Sequence, residues 1–336
     1  LLVGRKRRSS LKLNPRDYKT KRMRLLFEKG ALFYAFFNLR LFFFLLFRKS
    51  DVLLSNDLDT LLANYLISKI KRNRLIYDTH ELFTEVPELT SRPKVRKIWL
   101  GIEKWIFPKL KTVYTVNQSI ADIYTKRYNV PVKVVRNISP KWVVTGIKTK
   151  LELQLPEDKH IIILQGAGIN IDRGAEEAVE AMKHVEHAVL VFVGDGDVIP
   201  QLKTKVISEN LNEKVMFFGK KPYDELMQYT YHADIGLTLD KNTNPNYKYS
   251  LPNKVFDYIH TNTAIIASDI LEVSNIVQKH KVGLIINNVS AMSISKAITT
   301  LIKDQQKLIT FKENCSKASE IENWGKEKAV LTSIFL

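Results

Sequence analysis

The feature that most limits what this chain can fold into is a recurring pair: a short apolar run ending in a polar turn, followed by a longer helical stretch. In the first half the runs are VLLSND (52–57), RLIYDTH (74–80), VYTVN (113–117) and VKVVRN (132–137). The rhythm restarts with HIIILQGAG (160–168), AVLVFVGDGD (188–197), KVMFFGK (214–220), ADIGLTLD (233–240), AIIASD (264–269) and VGLIIN (282–287). Apolar strands separated by helices imply parallel sheets, with functional loops at the carboxyl ends of the strands.

A chain of 336 residues exceeds the usual size of one hydrophobic core. The expected fold class is therefore α/β, with two Rossmann-like domains facing a cleft. The stretch SPKWVVTGIKTKLELQLPEDKH (139–160) breaks the rhythm and reads as the connection. The expected divisions are a first Rossmann-like domain over 1–145, a second over 146–318, and a final amphipathic helix over 319–336 that returns to the first domain. The chain starts at Leu1 without Met, in a strand already under way, so the first strand of that domain is expected to lie upstream.

Charge is unevenly placed. Of the net +17, an excess of +12 lies in residues 1–50, where fourteen Lys and Arg face only Asp17 and Glu28. Such asymmetry points to an anionic surface as partner. The next segment, ALFYAFFNLRLFFFLLF (31–47), favours a membrane leaflet over nucleic acid: it is apolar and aromatic, interrupted only by Asn38 and Arg40. It is short of the roughly 20 residues a bilayer span needs. It reads either as a helix lying on a membrane or as a core helix packed on a sheet. Cys315 is the only cysteine, which excludes a disulfide framework and a Cys-based metal cluster and fits a reducing cytoplasm.

Three loops of the second half carry candidate chemistry. In QGAGINIDRGAEEAVEAM (165–182), Gly166 and Gly168 permit close backbone approach, and Arg173 before Gly174 stands at a helix start suited to a diphosphate. GDGD (194–197) reads as a tight turn with an Asp cap. In YSLPNKVFDYIHTNTAIIASD (249–269), Pro252 is placed at the first helical position, so that Asn253 and Lys254 project from the first turn and Asp257 from the next. A cation and a helix start can hold phosphate while a carboxylate accepts from ribose hydroxyls. A nucleoside diphosphate answers both demands. The two Asp-x-Asp matches, Asp57 to Asp59 and Asp195 to Asp197, read as turn and capping carboxylates, and no metal site is expected.

The run of RGAEEAVEAM, VFVGDGD, VMFFGKKPYDEL, ADIGL and SLPNKVFDYIHTNTAIIASD resembles the donor half of GT-B retaining glycosyltransferases of family 4, or group 1. SNDLDT, YDTHELFTEVPEL, TVNQSIADIY and VVRN resemble the acceptor half of a bacterial surface-glycan branch of that family. The resemblance implies that Arg173 and Lys254 grip the donor diphosphate, that Asp257 is the ribose-contacting second acid of a Glu-x7-Glu signature, and that His80 is the active-site histidine facing the donor sugar. It also implies donor contacts at Gly166, Gly168, Gly219, Asn253 and Glu272, and acceptor contacts at Asn56 and Asp57. Tyr249 stands where the first Glu of the signature is expected, and Ile270-Leu271-Glu272 replaces the usual Gly-Gly. Without the resemblance, His80 reads as a hydrogen-bonded turn histidine.

The implied activity is a retaining, metal-independent transfer of a sugar from a nucleotide-diphosphate donor to a lipid-linked or glycan acceptor. No cofactor beyond the nucleotide sugar and no nucleic-acid partner is expected. The expected location is cytoplasmic, peripheral on the inner face of the cytoplasmic membrane. A nucleotide-sugar 2-epimerase of the same fold and a catalytically silent scaffold subunit are the rival readings.

Overall fold

The computed structural model describes residues 1–8, 10, 12–13, 15–143 and 145–336. It divides into two compact units, Leu1–Val116 with Ile120–Val134, and Asn117–Ser119 with Val135–Leu336. The division falls after Val134, ahead of the expected position 145. The terminal helix Trp324–Phe335 groups with the second unit, where the sequence suggested a return to the first. An ion-pair fork accounts for this: Arg136 donates to Glu322 Oε2 at 2.7 Å and to Glu327 Oε1 at 2.6 Å, and its backbone N–H donates to Glu327 Oε2 at 2.7 Å.

The first unit contains a parallel pair, β1 (Leu2–Lys6) and β2 (Thr20–Arg24), and a parallel four-stranded sheet ordered β3 (Val52–Asn56), β4 (Arg74–Thr79), β5 (Thr112–Thr115) and β6 (Val132–Val134). The aromatic segment forms the helix Gly30–Leu46. It buries Phe33, Phe37, Leu41 and Leu45, a stripe at four-residue spacing that packs with Leu53, Ala63 and Ile67. That stripe is core. A second stripe, Leu32, Leu39, Phe43 and Phe47, remains exposed, Phe47 by 85%. No helix among the described residues is long and apolar enough to cross a membrane.

The second unit contains a six-stranded parallel sheet built from β7 (His160–Gly166), β8 (Ala188–Gly194), β9 (Val215–Phe217), β10 (Ile235–Thr238), β11 (Ala264–Ser268) and β12 (Gly283–Ile286). Its order is β12-β11-β10-β7-β8-β9. The first strand thus lies in the middle and the chain reverses direction between β7 and β10. In such sheets ligands bind beyond the strand ends at that reversal. Helices cover both faces, which is why β8, β10 and β11 are buried along nearly their whole length.

The ends of β7 and β8 nearly touch. Gly194 has φ +148°, and a Cβ there would fall 1.8 Å from the Gly166 carbonyl oxygen. Beyond it, GDGD is a packing turn for the neighbouring loop: Ile169 N donates to Asp195 O at 2.9 Å and Ile171 N to Asp197 Oδ1 at 3.1 Å. We expect Gly194→Ala to destabilise the protein by about 1–3 kcal/mol through this overlap. Gly168→Ala, whose Cβ would meet nothing nearer than Asn170 Nδ2 at 3.7 Å, should be close to neutral. Urea unfolding midpoints at unchanged m-value separate the two.

Candidate active site

The second unit's reversal point gathers two cations around one buried acid. Gly174, at φ +73°, precedes the helix Ala175–Ala181, and a Cβ there would sit 2.4 Å from Leu239 Cβ. Only glycine lets this helix start approach the end of β10 so closely. Arg173 is thereby held with Nη1 3.7 Å from Asp240 Oδ2 and its guanidinium 4.9 Å from the centre of the Tyr247 ring. Asp240 is only 2% exposed. Ser250 Oγ donates to its Oδ2 at 3.3 Å, Ser268 Oγ donates to its backbone carbonyl at 2.6 Å, and its Oδ1 has no hydrogen-bond partner among the described residues. Lys254, at the start of the helix Lys254–His260, joins the cluster. Burial lowers its pKa, the Arg173 charge lowers it further, and Asp240 opposes both.

Asp240 was not among the residues singled out from sequence. Its signal is the acid that closes the apolar run ADIGLTLD. A buried carboxylate beside Arg173 and Lys254 opposes the loss of the Lys254 proton that burial favours, and the two basic side chains suit a phosphate.

Asp257 goes elsewhere. It is 5% exposed, and its oxygens accept from Ser139 Oγ (2.9 Å), the Tyr223 hydroxyl (2.9 Å) and Gln165 Nε2 (3.0 Å). Burial raises its pKa, against these donors and the charge of His260. Asn253 and Asp257 share a cavity of about 470 Å³ with Tyr223 and Trp324. Pro252 does not open the helix as expected: its carbonyl closes a single turn with Val255 N at 3.1 Å, and Asn253 is the cap residue before Lys254. Tyr249 follows the short helix Pro245–Lys248, with the Lys248 ammonium 5.3 Å from its ring centre. Glu272, in the first turn of the helix Leu271–His280, accepts from Ser119 N at 2.7 Å. Gly219, at φ +66°, serves a turn in which its carbonyl accepts from Gly194 N at 2.8 Å.

In the first unit, Asn56, Asp57 and His80 meet at the carboxyl ends of β3 and β4. Asp57 has φ 56° and ψ 171°, a conformation that a residue with a side chain rarely adopts. Its backbone N–H donates to Asp78 O at 2.8 Å. The sequence cast Asp57 as a capping carboxylate, but it does not cap the helix Leu58–Lys71; its Oδ1 accepts from His80 N at 2.9 Å instead. Burial, then the Asp57 charge, raises the Asp59 pKa to about 6. The His80 ring, 45% exposed, places Nε2 3.0 Å from Asp78 Oδ2, which also accepts from the Tyr114 hydroxyl at 2.9 Å. The Asp78 hydrogen bond raises the His80 pKa, burial opposes it, and the charges of Asp78, Asp57 and Glu81 add to the rise.

A histidine whose folded pKa is raised contributes stability that is fully present below about pH 6.5 and is lost as pH rises through the folded value. The His80 ring proton resonances should therefore titrate above the ordinary imidazole value. Asp78→Asn should move that midpoint downward; an unchanged midpoint would remove Asp78 as the cause.

With this geometry in place, comparisons assign the chain. The family described as glycosyl transferases group 1 matches residues 148–319, more than half of the sequence. Among curated proteins no sequence matches. Solved structures share the fold. Sucrose-phosphate synthase from Thermosynechococcus elongatus superposes with a TM-score of 0.75 at 17% identity, over 99% of this chain and 87% of that one. HepE from Anabaena in complex with UDP and glucose gives 0.72 at 15%, over 94% and 85%. WaaG, a glycosyltransferase involved in lipopolysaccharide biosynthesis, gives 0.62 at 11%, over 91% and 84%. The expected α/β class of the GT-B kind is borne out, and the chain belongs to the group 1 glycosyl transferases.

Proposed function

We propose that this transferase is retaining and metal-independent and moves a sugar from a nucleoside-diphosphate donor to a lipid-linked or glycan acceptor. The cluster of Arg173 and Lys254 about the buried Asp240 carries the reading. As the bond from sugar C1 to the β-phosphate oxygen breaks, negative charge builds on that phosphate, and preorganised cations stabilise it. The acceptor oxygen bonds to C1 on the same face, and its proton passes to the departing phosphate. Neither step calls on a protein base. HepE in complex with UDP-glucose supports a nucleotide-sugar donor. WaaG's role in lipopolysaccharide biosynthesis supports a surface-glycan setting.

His80, with its ring oriented by Asp78, is assigned to the transferred sugar, and Asn56 and Asp57 to the acceptor. Asp257 keeps a ribose contact in this reading: a carboxylate has about four acceptor positions and three are occupied. Gly166, Gly168 and Asn253 complete the donor side.

Arg173→Ala and Lys254→Ala should each lower kcat roughly a hundredfold or more, the effect of a lost oxyanion donor. Full turnover in both variants, measured as nucleotide release with acceptor present, would overturn the phosphate assignment. The basic amino-terminal segment should also hold the enzyme at the cytoplasmic face of a membrane, with each cation contributing about 1 kcal/mol. Arg5 is already engaged, its guanidinium 4.6 Å from the Phe33 ring centre. Reversing the charge of the exposed Lys6, Arg7 and Arg8 should abolish flotation with anionic liposomes; retained flotation would refute membrane docking by this segment.

A further inference from the structure

A cleft at the amino edge of the four-stranded sheet involves none of the residues assigned above. Its volume of about 550 Å³ falls in the roughly 300–1,000 Å³ range of small-molecule sites. Lys69, Arg72, Arg74, Lys109 and Lys111 line it, and no acid among the described residues does. Arg74 opens β4 and Thr112, also in the lining, opens β5. The cleft therefore lies at the starts of the strands, whereas Asp57 and His80 lie beyond strand ends. Six residues of β4, at roughly 3.3 Å each, put about 20 Å between the two edges.

The fold holds these cations in place. Lys69 Nζ lies 5.3 Å from the centre of the Tyr65 ring and Lys109 Nζ 4.9 Å from that of Trp105, and the two rings meet edge to face at 5.6 Å. Arg72 turns the chain out of the helix Leu58–Lys71 in the left-handed conformation, at φ 58°. Lys69 and Arg72 also complement the dipole at that helix end, an ordinary role for cations. Arg74 and Lys111 belong to no helix, so the dipole does not account for them. The charge here does not balance. Lys69, Arg72, Lys109 and Lys111 form no ion pair among the described residues. Two acids stand near this edge. Glu103, in the last turn of Pro93–Ile106, is fully buried and accepts from the Tyr128 hydroxyl and from Arg127 Nη1 at 3.4 Å. Asp51 precedes β3, and its backbone carbonyl accepts from Arg74 N at 3.3 Å. With Glu103 held by Arg127, Asp51 alone is set against the five cations of the cleft.

We infer that this cleft binds a compact ligand carrying two or more phosphate groups. A phosphate brings up to about two negative charges and three acceptor oxygens. Five cations call for more than one such group. Arg72 and Arg74 offer planar donor forks that match phosphate oxygens, and the lysines offer point charges. A cleft of this volume encloses a small anion, whereas a nucleic-acid strand needs a charged groove that tracks its backbone. The same chemistry is found in a free oligophosphate and in a lipid headgroup with two phosphates. The cleft lies in the other unit from Arg173 and Lys254 and does not rest on the donor reading.

The test titrates sodium tripolyphosphate, free of divalent metal, into the full chain carrying Arg173→Ala and Lys254→Ala, so that the donor site does not contribute. Calorimetry should show saturable binding at one site per chain. Adding Arg72→Gln with Lys111→Gln should weaken it at least tenfold. Lys94→Gln with Lys97→Gln removes the same charge from exposed positions elsewhere in the unit and should change it less than twofold. Should these variants fail to fold, acetylation footprinting of the unaltered chain reads the site directly: tripolyphosphate should protect Lys69, Lys109 and Lys111 and leave Lys94 and Lys97 reactive. Phosphatidylcholine vesicles containing cardiolipin distinguish the two sources. Retention on these vesicles that tripolyphosphate displaces, and that Arg72→Gln with Lys111→Gln removes, assigns the cleft to a lipid headgroup; tripolyphosphate binding without such retention assigns it to a free ligand. Equal weakening by both pairs of substitutions, unsaturable binding, or protection spread over all exposed lysines would each overturn the inference, by showing net positive charge acting without a site.

Discussion

A carboxylate removed from water is costly unless cations compensate it, and Asp240 is such a group. Its burial is what fixes the region around the reversal point. Arg173 must be brought to it, which requires the helix Ala175–Ala181 to start against Leu239, which in turn requires glycine at 174. The charge of the same acid acts on Lys254, at the start of the helix Lys254–His260. Ser250 donates to the carboxylate, and Ser268, at the end of β11, donates to the backbone carbonyl of the same residue. Three chain segments, at Arg173, at Ser250 to Lys254 and at Ser268, are therefore registered about one residue.

The same logic explains what was and was not legible in the sequence. Strand runs in a parallel sheet covered on both faces are apolar at every position, so β7, β8 and β11 stand out as HIIILQG, AVLVFVG and AIIAS. By contrast β2 reads TKRMR, and only Met23 is buried, so no alternation or apolar run announces it. Arg173 and Lys254 were visible as cations at helix starts. Asp240 was not, because its role exists only once β10 ends beside them. Asp57 was misassigned for a similar reason: a residue at a cap position is expected to satisfy its own helix, and the competing partner, His80 N–H, comes from the next strand.

The aromatic helix shows a different limit. Its residues are apolar on nearly every side, so the pattern cannot choose a buried face. The fold makes the choice, committing Phe33, Phe37, Leu41 and Leu45 to the core and leaving Leu32, Leu39, Phe43 and Phe47 at the surface. The core reading thus describes one side of the element, and the other side stays in solvent.

The Arg136 fork bears on how the molecule comes into being. Arg136 stands at the beginning of the second unit, and Glu322 and Glu327 near the end of the chain. Glu322 is fully enclosed, with Lys279 and His280 also donating to it, at 2.9 and 2.7 Å, and its pKa falls to about 2; burial alone would raise it, and these donors together with Arg136 outweigh that. During synthesis, domains fold from the amino terminus as the chain emerges. Here the Arg136 guanidinium lacks these counter-ions until residues 322–327 have left the ribosome. The second unit closes like a ring whose clasp joins residues about 190 apart, so a nascent chain that stops short of them carries an unmet charge at the place where its folded form would be sealed.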